Sequence, residues 1–280
     1  MPGGAFFYEE MSLRTVFLQE KSLLADVRYI IEALTPRVSP GEGNRINFDA
    51  FCEKYGKASC FGCAVSIPDN PLGNMRVPAL SAVEECRRAF EAEKLLVNLN
   101  TFHTKNDLDL FLRATLDRGV RHLLIVRGDG SPNLPRLRPE ELDVDGKLVT
   151  SIDLLVYIHR EYPREFVTGV AFNQYKPLRF EMRKLHEKIE KGAQFIVTQP
   201  VIGRDPNVLA LKSSGRPLVV EAWMSKNIEL LLRSVKADAR IETGKYDPVQ
   251  NLRILRDVFP EEKVYLSLLS SKSDWREALV

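Results

Sequence analysis

Short apolar runs recur along this chain with room for one helix between neighbours, and no other feature restricts its fold as strongly. The runs are 15–19 (TVFLQ), 62–67 (GCAVSI), 94–99 (KLLVNL), 122–127 (HLLIVR), 166–171 (FVTGVA), 194–199 (QFIVTQ), 217–222 (PLVVEA) and 264–269 (VYLSLL). They are continuous and do not alternate apolar with polar, as expected of parallel strands buried on both faces. The segments between them carry helical periodicity. Over 177–191, Pro177 suits a first helical residue, Leu178, Met182, Leu185 and Ile189 share one face, and Gly192 stops the helix. Thr104 or Asn106 is placed to cap a second helix with Leu108, Phe111, Leu112 and Thr115 on one face, ended by Gly119. Eight strands with interleaved helices in 280 residues predict a single-domain (β/α)8 TIM barrel of the α/β class, spanning 1–280. Pro- and Gly-rich stretches at 35–57 and 130–149 predict two long loops, the second placed to fold over the mouth as a lid.

Composition narrows the partners. Forty basic residues against 38 acidic ones leave a net charge of +2 and no basic run, which argues against nucleic acid. No stretch approaches the roughly 20 apolar residues of a membrane span, and the N-terminus lacks a secretory pattern, so a cytosolic location is expected. Cys52, Cys60, Cys63 and Cys86 are too few for a disulfide framework and are expected as free thiols. Cys60-x-x-Cys63 has no second pair and reads as two small core residues. His103, His122, His159 and His186 show no ligand spacing, so no metal site and no site role is assigned to them.

In a parallel barrel the carboxyl ends of the strands converge on one mouth. Asp129 follows one apolar run and Gln199 ends another, 70 positions later, so both are predicted to face a single ligand. Arg127-Gly128-Asp129 also spells an adhesion tripeptide, a reading disfavoured by its place at the end of a strand. No G-x-G-x-x-G follows any strand, so a nicotinamide would bind at the barrel mouth.

Arg127-Gly128-Asp129, the Lys191-Gly192-Ala193 turn into a strand ending Thr198-Gln199, and Val65-Ser66-Ile67 together resemble methylenetetrahydrofolate reductase, a flavin-dependent barrel family. The resemblance implies FAD, reduced by NADH or NADPH, and a tetrahydrofolate derivative as substrate. It implies that Asp129 contacts the pterin and adjusts the flavin, that Gln199 and Asn100 bind substrate, and that Asn98, Arg127, Gly128, Ala193 and Lys188 hold the cofactor. The family's general acid is a glutamate at the end of the first strand, which Glu20 matches best. If 4–8 (GAFFY) is the first strand and 8–34 one long helix, Glu9 or Glu10 takes that role.

Departures from the family bear on the cofactor. Asn173-Gln174-Tyr175-Lys176 replaces a proline, glutamate and histidine segment, Glu181 and Lys184 replace an aspartate and an asparagine, and Lys188 is kept. Pro68-Asp69-Asn70-Pro71 replaces a threonine-containing segment, and Glu221-Ala222-Trp223-Met224 a proline and glycine turn. Altered or lost FAD binding follows as an expectation. Two alternatives to the reductase stand beside it: a flavin-free, folate-binding methyltransferase, and a barrel active only with a partner, such as an electron-transfer subunit. A homo-oligomer is compatible with each.

Overall fold

The computed structural model describes residue 24 and residues 27–38, 46–86, 91–235 and 246–279. Eight parallel strands close into a barrel in chain order: β1 Tyr29–Glu32, β2 Ala64–Ile67, β3 Leu95–Leu99, β4 His122–Ile125, β5 Val167–Phe172, β6 Phe195–Thr198, β7 Leu218–Trp223 and β8 Lys263–Ser267. Closure is direct, with Ile30 beside Ala64 on one edge and Tyr265 on the other. The helices that separate them include α1 (Asp49–Cys60), α2 (Ala79–Glu85), α3 (Lys105–Asp117), α4 (Pro139–Leu142), α5 (Ser151–Glu161) and α6 (Leu178–Glu190). Thr104 caps α3 by accepting the Asp107 amide, one of the two caps expected. Among the described residues no helix is long and apolar enough to cross a membrane.

The first strand is a correction. The run at 15–19 lies outside the described residues, as do Glu9, Glu10 and Glu20, and the barrel begins instead at Tyr29–Glu32. Residues 29–32 are therefore extended, not the end of one helix. Only Tyr29, Ile30 and Ile31 precede a charged residue there, too short an apolar run to register. The loop expected over 35–57 ends sooner, because α1 begins at Asp49. Within 130–149 the chain makes the short helix α4.

The cysteines are a second correction. Cys52 in α1 and Cys86 just after α2 form a disulfide, their Cα atoms 5.1 Å apart. The two helices pack side by side outside β2, which brings together cysteines 34 positions apart and leaves no local spacing to reveal the pair. Of Cys60 and Cys63, only Cys63 is buried; Cys60 ends α1 and is exposed.

The strand alternation sorts side chains into two apolar regions. Ile31, Val65, Val97, Leu123, Val170, Ile196 and Val220 face outward under the helices. Ile30, Ala64, Leu96, Leu124, Val167, Phe195 and Val219 face inward and fill the lower barrel. Gly169 makes room for that filling, since a Cβ on it would lie 2.1 Å from the Phe195 ring. Two residues further along several strands the inward positions turn polar, and there the barrel opens.

Candidate active site

Glu32 of β1, Asn98 of β3, Glu221 of β7 and Tyr265 of β8 line a cavity of about 240 Å³ at the carboxyl ends of the strands. Asp129, from the loop after β4, and Gln199, immediately after β6, line the same cavity. The two residues predicted to share a mouth do so.

The polar groups are interlocked. Ser66 donates to Asn98 Oδ1 at 3.0 Å, and both stand beside Tyr265. Glu32 accepts the Leu268 amide at 3.1 Å and also neighbours Tyr265. Burial raises the Glu32 carboxyl above the ordinary range, partly offset by the Leu268 amide and the Lys54 charge. Across Tyr265, Glu221 pairs in register with it on β7. Burial, and then the neighbouring Glu32, push Glu221 up to about 8, against a smaller pull from Ser267. Glu221 so placed holds its proton near neutral pH, and the Glu32 carboxyl is shifted in the same direction, the one a general acid needs.

The loop after β2 closes one side of the mouth. Asn70 and Leu72 adopt left-handed backbone, with φ of 45° and 57°, and Leu72 is 64% exposed. Its amide donates to Asp129 Oδ2 at 3.3 Å, tying this loop to the loop after β4. Gly128, with φ of 78°, permits that approach, because a Cβ on it would lie 2.6 Å from Asn100 Cβ.

A larger cleft of about 990 Å³ adjoins the mouth and shares Val126, Gly128, Asp129, Ala171 and Gln199 with it. Its walls include Arg127, Arg136, Lys184 and Lys188, together with Leu148 and Val149 from the segment expected as a lid. Lys188 Nζ donates to the Ala171 carbonyl at 2.7 Å, which brings the ammonium to the end of β5; burial lowers its pKa.

Not every predicted residue reaches these spaces. Asn100 is fully buried, its amide nitrogen donating to the Asp69 carbonyl and its oxygen accepting the Phe102 amide, so it supports the rim without lining the cavity. Asn98 lies in the central cavity and does not line the larger cleft. Ala193 is corrected outright: it precedes β6, is 1% exposed, and sits at the amino end of the barrel, opposite Gln199. A helix stop that starts a strand lies at the face away from the mouth.

Comparison with known families decides the relationship. Residues 25–206, well over half of the chain, match the model of methylenetetrahydrofolate reductase. The chain belongs to the methylenetetrahydrofolate reductase family. Comparison with curated protein sequences gives no significant match. Among solved structures, a candidate lyase/mutase from Burkholderia cenocepacia J2315 is similar at 11% identity and a TM-score of 0.48, covering 88% of this chain and 78% of that one. A 2,3-dimethylmalate lyase is similar at 9% identity and a TM-score of 0.45, covering 94% and 83%. Likenesses that distant carry no activity over to this chain.

Membership redirects attention to the end of the first strand. In this methylenetetrahydrofolate reductase family member the strand ends in Glu32, a residue missed in the sequence because its strand was missed. A glutamate closing a short β-prone run was the available signal; Glu221 lies inside β7, two residues before its end.

The larger cleft has room for a dinucleotide, and its lining sets the basic Arg127, Arg136, Lys184 and Lys188 beside the acidic Asp145, Asp153, Glu181 and Glu187. Arg136, one of the lining residues, lays its guanidinium 5.2 Å from the centre of the Phe102 ring and keeps a buried Nε without a hydrogen-bond partner. Gln174 and Tyr175, from the segment that departs from the family, are engaged elsewhere. Gln174 Nε2 donates to the Gln199 carbonyl at 2.8 Å and Tyr175 Oη to the Pro200 carbonyl at 2.6 Å, which fixes the backbone that carries Gln199.

Proposed function

We propose that this chain reduces methylenetetrahydrofolate to methyltetrahydrofolate, with Glu32, not Glu20, as the proton donor. The observation that carries the reading is the convergence of Glu32, Asp129 and Gln199 on one cavity that opens into a dinucleotide-sized cleft. FAD held by Arg127, Gly128, Lys184 and Lys188 would supply the hydride, taken from NADH or NADPH. The chain's own residues supply position and the proton. Glu32, kept protonated by burial, gives its proton to the weakly basic bridging nitrogen and opens the folate toward an iminium. Gln199, its backbone clamped by Gln174, aligns the pterin without adding charge. Asp129, held by the Leu72 amide, lies where the two spaces meet and interacts with the pterin on one side and the flavin on the other.

The absorption spectrum of purified protein tests this directly. Protein loaded with FAD and freed of excess cofactor should keep flavin bands that NADH bleaches and methylenetetrahydrofolate restores. One observation favours a second reading, a flavin-free methyl transfer from bound folate: Gln174 and Tyr175 stand where the family holds its cofactor and are committed to the Gln199–Pro200 backbone. A protein that stays colourless yet binds tetrahydrofolate supports that reading and removes the first.

A further inference from the structure

Outside the barrel, between α2 and α3, lies a groove of about 400 Å³ lined by Leu80, Phe111, His103 and Arg118 among others. It shares Pro68 and Asp69 with the central cavity, so the Asp69 carboxyl stands in the wall between the two spaces. Of these two spaces His103 lines the groove and not the cavity, and its Nε2 lies 2.6 Å from Asp69 Oδ2.

We infer that His103 and Asp69 form a side inlet that carries a proton from the groove to the cavity during folate reduction. The inference rests on the proposed reductase reading. Each turnover adds one hydride and one proton to the folate. The hydride makes the new C–H bond of the methyl group, the bond from that carbon to the second nitrogen breaks, and the proton ends on the nitrogen released. The hydride donor is oxidised, and the proton comes from solvent. Glu32 loses its proton each time and must recover one while the folate fills the direct route through the mouth.

The pair is built for transfer. Asp69 Oδ1 accepts from Asn70 Nδ2 at 3.0 Å, and Oδ2 accepts the Asn100 amide at 3.4 Å as well as His103. Asn100 Nδ2 holds the Asp69 carbonyl at 2.8 Å, so the carboxylate has one orientation. Other charged groups on the groove have partners of their own: Asp107 accepts from Thr104, Arg118 pairs with Glu84, and Arg76 donates to the Thr35 carbonyl. His103 is thus the groove's imidazole in direct contact with Asp69, with its side chain 16% exposed.

The test is His103→Ala in the full chain, measured beside wild type and beside His103→Gln. The inlet predicts that the folate-reducing half-reaction slows roughly tenfold or more, the scale of lost general acid–base assistance. Methylenetetrahydrofolate affinity, read by calorimetry, should stay within about twofold, and oxidation of NADH should be unchanged. Added imidazole, small enough to enter the groove, should restore the rate of His103→Ala, less well as pH rises and the imidazolium is lost. The wild type should show a solvent isotope effect on folate reduction that the variant alters. A purely structural tie between the two loops predicts weakened folate binding and no rescue, and that result overturns the inlet. So does an active wild type whose His103→Ala variant keeps its full rate. A wild type that binds but never reduces the folate would overturn the reductase reading and the inlet with it.

Discussion

Ile30 precedes Glu32 by two positions on β1, as Leu96 precedes Asn98 on β3 and Val219 precedes Glu221 on β7. The first of each pair lies in the packed lower barrel and the second in the cavity above it. One step of the strand repeat thus converts a close-packed interior into a polar site, and the same strands do both jobs. The lower half has one solution: Phe195 occupies the space that Gly169 leaves. The upper half leaves space unfilled and keeps ionisable groups away from bulk water, an arrangement that costs stability and is retained for chemistry.

The sharpest way to separate the halves is Glu32→Gln. It should slow folate reduction by roughly 10²- to 10⁴-fold in single-turnover measurements, leave NADH oxidation by the loaded protein near wild type, and barely change the melting temperature. A variant equally slow in both half-reactions would place Glu32 outside the proton step. Gly169→Val attacks the other half. The added side chain meets the Phe195 ring, and thermal unfolding should show a loss of about 3 kcal/mol or more, or no soluble protein.

Glu221→Gln tests how much the polar half costs. The folded-state value of about 8 lies above the ordinary 4.5, so between the two the folded chain holds a proton that the unfolded chain has released. The stabilising contribution is complete below about 4.5 and is lost as pH rises through 8. Removing the carboxyl should therefore raise stability relative to wild type at alkaline pH, on the order of a few kcal/mol, with little difference at acidic pH. Parallel melting curves across pH would contradict the burial of Glu221. The smallest effect belongs to Gln199→Ala, which should weaken folate binding by roughly 1–2 kcal/mol while hydride uptake from NADH persists. Equal damage to both steps would remove Gln199 from the pterin.

These contrasts also explain what the sequence revealed. β6 was legible because Gly192 stops a clear amphipathic helix and Phe195, Ile196 and Val197 form an apolar run. β1 was not, because its upper half is Glu32 and only three residues remain to mark a strand. The shared mouth of Asp129 and Gln199 followed from barrel topology alone, since any residue at a strand's carboxyl end arrives there. Ala193 failed by the same logic, applied to the wrong end of its strand. His103 and Asp69 come from different loops, 34 positions apart, and the Cys52–Cys86 bridge spans the same separation. Neither contact has a local spacing that announces it.

The lining of the central cavity has one more consequence. Glu32, Asp69, Asp129 and Glu221 all line it, and among the described residues that line it none is Lys, Arg or His. An elongated ligand with amine and amide donors at one end and carboxylates at the other would enter favourably donor end inward, because the reverse brings its carboxylates against Asp69 and Asp129. On the proposed reading the cavity would sort the two ends of its ligand before any specific contact forms, and acidic extensions of the outer end would remain in solvent.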